Sequence, residues 1–74
     1  MKEIEYKGQK VQCYGDLQNG YMNFLIVATA ADGQEIDIMD TTGHKTWEVA
    51  VPAVVDYFLK NYGEGSEVHE LQAM

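Results

Sequence analysis

Apolar and polar residues alternate near the start of the chain. Ile4 and Tyr6 fall on one side, Glu3, Glu5 and Lys7 on the other. A period of two predicts a half-buried β-strand there. Gly8-Gln9 fits a two-residue hairpin turn with glycine first, and Val11 to Tyr14 reads as the return strand. That turn pairs Tyr6 with Val11 and Ile4 with Cys13, so all four share a face.

Asn19-Gly20 is the next turn signal, and Tyr21 to Thr29 follows as a strongly apolar strand. After Asp32-Gly33, residues Gln34 to Asp40 alternate, with Ile36 and Ile38 against Glu35, Asp37 and Met39. A two-residue turn at Asp32-Gly33 pairs Val27 with Ile38 and Thr29 with Ile36. Leu25, Val27, Ile36 and Ile38 then share a face. A tight turn at Asn19-Gly20 as well would put the two hairpins' apolar faces on opposite sides. An irregularity is therefore expected, either a bulge at Gly15 or a longer loop through Gly20.

Residues Thr41 to Lys45 read as a loop. Trp47, Val49 and Val51 alternate with Glu48 and Ala50, which predicts a short strand. Pro52 suits the first position of a helix, where its missing N–H costs nothing. Val51, Val54, Val55, Phe58, Leu59 and Tyr62 recur at helical spacing. Gly63 is a natural stop, with Lys60 in the last turn. In the segment Ser66 to Met74, Val68 and Leu71 fit helical spacing, and His69 and Leu71 fit strand spacing. The expectation is a single α+β domain over residues 1–74. An antiparallel sheet of four to six strands carries one amphipathic helix, which covers Leu25, Val27, Ile36 and Ile38.

This arrangement leaves apolar residues over. Phe24, Ile26 and Ala28 turn away from the helix, and Met39 joins them opposite Ile26, with Tyr14 and Met22 nearby. One helix cannot cover both faces of a sheet, so the second face meets the C-terminal segment, another copy of the chain or a partner. Tyr, Phe and Met favour interfaces. Tyr14, Tyr21, Phe24 and Met39 are the candidate anchors.

Charge narrows the choice of partner. Twelve acids face five lysines among 74 residues, and the net charge is −7. Direct binding to nucleic acid is not expected, because it needs cations that displace counterions from phosphates. A protein with a basic surface fits the charge. Asp32, Glu35, Asp37 and Asp40 are the acidic candidates on the second hairpin. Alternate strand positions lie ~7 Å apart, near the distance between successive phosphates on one nucleic-acid strand. Glu64, Glu67 and Glu70 form a second acidic cluster.

The lone cysteine, Cys13, excludes a disulfide within the chain and points to a reducing, cytoplasmic setting. The N-terminal stretch has no apolar signal core. The longest apolar stretch, Phe24 to Ala28, is far too short to span a bilayer. A chain of this size also spares few apolar residues for a deep cleft.

Catalysis and metal binding find little footing, and no cofactor is expected. Asp40-Thr41-Thr42-Gly43 is similar to the Asp-Thr-Gly turn of aspartic proteases, but the extra Thr breaks that motif. Gly43-His44-Lys45-Thr46 is similar to the end of a P-loop, but His44 interrupts it. Asp37, Asp40, His44, His69, Glu67 and Glu70 are metal-capable types without the spacing of a known structural site. Cys13 lies on the core face, away from any base that would activate it.

Phe24-Leu-Ile-Val, Ala31-Asp-Gly-Gln, Glu35-Ile-Asp-Ile and the helix from Pro52 to Tyr62 closed by Gly63 share an order of elements. That order resembles small acidic phage-borne anti-CRISPR inhibitors, over about 40 residues of pattern. The resemblance implies a protein that binds an RNA-guided effector and blocks nucleic-acid access or cleavage. On all these grounds the chain is expected to be a non-enzymatic inhibitor acting by protein–protein contact. A structural homo-oligomer is the alternative.

Overall fold

The first hairpin runs from β1 (Lys2–Tyr6) to β2 (Gln9–Tyr14). In the computed structural model, which describes residues 1–16, 23–40 and 43–74, Tyr6 pairs with Gln9 and Ile4 with Val11. The turn is therefore Lys7-Gly8, not Gly8-Gln9. Both residues have positive φ, 51° and 81°, as a type I′ turn requires. The pairing moves by two residues from the expected one. A shift of two keeps every side chain on its face, so Ile4, Tyr6, Val11 and Cys13 still point inward together.

The second hairpin joins β3 (Phe24–Thr29) to β4 (Glu35–Asp40), and here the shift is one. Ile26 pairs with Ile38 and Ala28 with Ile36. The chain turns through residues 30–34, where Ala30 N–H donates to the Gln34 carbonyl at 2.8 Å and Gly33 N–H to the Ala30 carbonyl at 2.9 Å. A shift of one flips a strand's faces. Phe24, Ile26 and Ala28 therefore face the helix, and Leu25, Val27 and Thr29 face away, the reverse of the expectation.

Strand β5 (Glu67–Ala73) lies between the hairpins, giving the order β1-β2-β5-β3-β4. It runs parallel to β2 and antiparallel to β3. Among the described residues the sheet is thus five-stranded and mixed, antiparallel in every pair but one. The expected clash between the hairpins never arises, because β2 and β3 are not neighbours. The Asn19-Gly20 turn, with Tyr21 and Met22, lies outside the described residues.

A bulge in β5 explains its ambiguous spacing. Val27 pairs with Glu70 and Ala28 with Val68, so His69 is the extra residue. Val68 and Leu71, three apart, both reach the core, which a regular strand does not allow.

Helix α1 (Trp47–Asn61) begins five residues earlier than expected. Thr46 caps it, with its hydroxyl accepting from Val49 N–H at 3.2 Å. Trp47, Ala50, Val51, Val54, Val55 and Phe58 form its buried stripe. The apparent alternation of Trp47, Val49 and Val51 misleads because Val49 is 56% exposed. Pro52 sits inside the helix, and its missing N–H leaves the Glu48 carbonyl without the usual donor. The helix packs closest to β1 and β5. The core beneath it holds Val11, Cys13, Phe24, Ile26, Ala28, Val68 and Leu71.

Candidate docking face

The helix covers one face of the sheet, and the open face can be read from the pairing. One row crosses it as Glu3, Gln12, Glu70, Val27 and Asp37, from β1 to β4. Beside it, Tyr14, Gln72, Leu25 and Met39 form a second row from β2 to β4. On the other flank, Thr29 stands between Glu67 and Glu35. Adjacent strands are about 4.8 Å apart, so carboxylates two strands apart are separated by about 10 Å. That is close to the screening length in physiological salt, and their fields overlap.

The lysines do not share this face evenly. Lys10 lies on it, opposite Glu5. Lys2 pairs with Glu48 of the helix, and Lys7 with Asp56 at 2.8 Å. The hydrogen bond from Lys7 holds the Asp56 carboxyl below its ordinary range, and the hydrogen bond from Lys2 does the same for Glu48. Tyr6 also donates to Asp56 at 3.0 Å. These contacts tie the helix to the β1 side while placing two cations away from the open face. Lys45 and Lys60 flank the two ends of the helix.

Polar side chains on the face bond to one another. Gln12 donates to Glu3 at 2.6 Å, and Gln72 to Glu70 at 3.0 Å. Thr29 Oγ1 lies 2.7 Å from His69 Nε2 at the bulge. The apolar part is smaller: Tyr14 is 39% exposed and Met39 44%, with Leu25 half-buried between them.

The expected site residues divide. Glu35, Asp37, Met39 and Tyr14 stand together on the open face. Asp32 is exposed in the turn, where its carboxylate accepts from Gln34 N–H at 3.0 Å. Asp40 lies on the helix side of β4, 3.5 Å from His44. Phe24 is fully buried, edge-on to Trp47 at 5.6 Å between centroids. It is a core residue and offers no surface to a partner. The one-residue register shift put Leu25 in its place. Tyr21 lies outside the described residues. Sequence reasoning sets Glu70 in a separate acidic cluster with Glu64 and Glu67, puts Leu25 and Val27 under the helix and gives Glu3 no role; their convergence here depends on β5 entering between the hairpins.

A second concavity lies on the other side of the sheet, between β4 and the helix. It encloses about 350 Å³, lined by Ile26 and Ile38 from the sheet and by Ala53, Val54 and Tyr57 from the helix, with Asp40 and His44 at one end. It exists because the helix is drawn toward β1, which leaves Ile36 and Ile38 half covered. Among the described residues, no three His, Cys, Asp or Glu side chains gather as a metal site. Among the same residues, no helix is long and apolar enough to cross a membrane. No protein-family model matches this chain, and no similar protein was found among curated proteins or solved structures.

Proposed function

We propose that the protein is a non-enzymatic inhibitor that acts by docking the open face of its sheet onto a basic protein surface. The observation that carries this reading is the separation of charge across the sheet. Glu3, Glu35, Asp37, Glu67 and Glu70 face outward on one side, and two of the lysines are engaged by the helix on the other. Tyr14, Leu25 and Met39 supply an apolar strip beside the acids, the combination found in interface cores with polar rims.

The order of elements shared with anti-CRISPR inhibitors supports one further step. The basic surface it covers is a nucleic-acid-binding groove, and occupation of that groove excludes the nucleic acid. The free Cys13 suits a cytosolic setting for such an encounter.

The test is capture of the partner from the native host, identified by mass spectrometry, followed by Glu3→Lys/Glu70→Lys. This pair sits on β1 and β5, at one end and at the centre of the acidic row. The double variant is expected to fold normally by circular dichroism and to lose at least tenfold in affinity. Unchanged affinity would remove the open face from the interface. A mobility shift with nucleic acid alone is expected to be negative.

A further inference from the structure

On the reading just given, we propose that strand β4 recruits an extended cationic segment of the partner as a sixth strand. Among the described residues, β4 pairs with β3 and has no neighbour on its outer side. Alternate residues of β4 therefore present unpaired N–H and C=O groups, a template for an added strand.

Side chains define what such a strand must carry. On the open face β4 shows Glu35 and Asp37, both exposed, then Met39. On the helix face it shows Ile36 and Ile38, both half-buried, then Asp40; Ile38 and Asp40 line the 350 Å³ concavity. An added strand places its residues about 5 Å from those directly opposite. Lys or Arg opposite Glu35 and Asp37, alternating with Val, Ile or Leu, satisfies both faces. The basic side chains meet carboxylates, and the apolar ones descend between β4 and Tyr57.

Charge also argues against a second copy of this chain in that position. A two-fold pairing centred on Asp37 sets that carboxylate against its twin. One centred on Ile36 sets Glu35 of each strand opposite Asp37 of the other, and one centred on Ile38 leaves the two Asp37 carboxylates diagonal to each other, with no lysine on either strand. Like charges facing each other destabilise a pair of strands. The same acids that repel a neutral or acidic edge admit a cationic one, so edge protection becomes selectivity.

The probe is a synthetic peptide, acetyl-Val-Lys-Val-Lys-Val-Lys-Val-amide, titrated into the ¹⁵N-labelled full chain. A version N-methylated along its backbone keeps the charges and loses the strand hydrogen bonds. The expected result is chemical-shift change and new exchange protection at the amides of 35–40. Affinity should fall about tenfold or more with the N-methylated peptide and with Asp37→Lys. Equal binding of both peptides overturns the proposal, as does a response centred on Tyr14, Glu70 and Gln72, or no binding at all. A sedimenting dimer that the peptide dissociates also overturns it, by giving the edge to another copy. Failure here is distinct from failure of the open-face reading. The latter is judged by Glu3 and Glu70, which lie on β1 and β5, away from the β4 edge.

Discussion

Cys13 illustrates how one residue's environment sets its chemistry. Its side chain is 1% exposed, and the thiol is weakly bonded to the Val11 carbonyl at 3.9 Å. Burial, assisted by the nearby charge of Glu48, pushes its pKa from 9.0 up to about 11. The fold thus favours the protonated thiol. Its contribution to stability is fully present below about pH 9 and is lost as pH rises through 11. Melting temperature should fall over that window, and the fall should be shallower in Cys13→Ala. At neutral pH the native thiol should resist iodoacetamide and react only on unfolding.

Gly63 is a second residue with a single-site consequence. Its φ is +98°, and an added Cβ would stand 2.5 Å from Cβ of Ala31. The helix ends there, with Ala31 N–H donating to the Tyr62 carbonyl at 3.0 Å. This contact ties the β3–β4 turn to the helix C-terminus. Left-handed backbone costs a residue with a Cβ about 1–2 kcal/mol, and the clash adds to it. Gly63→Ala should lower stability by at least that amount in urea denaturation. Phe24→Ala should cost more, about 3–5 kcal/mol. Any loss of binding in that variant should track unfolding, since Phe24 is fully buried.

At the scale of elements, local periodicity carried most of the information. The alternation around Ile4 and Tyr6, and around Ile36 and Ile38, marked strands because a pleat turns successive side chains to opposite faces. The spacing of Val51, Val54, Val55 and Phe58 marked the helix. What local pattern did not carry was the length of the β3–β4 turn. Asp32-Gly33 suits a tight hairpin, yet Ala30 and Gln34 close a wider one. That single residue decided whether Phe24 or Leu25 met the helix. The start of the helix was obscured by Trp47, Val49 and Val51, which satisfy both periods over so short a run. The candidate docking face was half legible. Glu35, Asp37 and Met39 lie on one strand, whereas Glu3 and Glu70 join them only through long-range pairing. The anchoring of the helix by Asp56 can also be tested. Asp56→Asn removes the carboxylate that holds Lys7 and receives Tyr6. The hydrogen bond holding Asp56 ionised is lost as pH falls into the carboxylate range. The wild-type melting temperature should therefore decline with acidification more steeply than that of the variant.

Across the whole molecule, charge should govern association. With a net charge of −7 and acids gathered on one face, the encounter proposed above with a basic partner would be steered electrostatically. The association rate should fall steeply as salt rises, while dissociation changes little. Stopped-flow measurements at two ionic strengths separate these. A rate insensitive to salt would mean that the acids keep the protein dispersed without guiding it.

The position of β5 sets an order of events during synthesis. The strand that unites the two hairpins is encoded after the four other strands of this sheet and the helix, and it runs parallel to a partner more than 50 residues upstream. Until it leaves the ribosome, β2 and β3 each keep a bare backbone edge, and half the core lacks Val68 and Leu71. The sheet of a growing chain therefore stays open and vulnerable until β5 has emerged from the ribosome. Nascent chains arrested before residue 67 should be digested rapidly by protease, and those extended past 74 by a long flexible tether should be resistant.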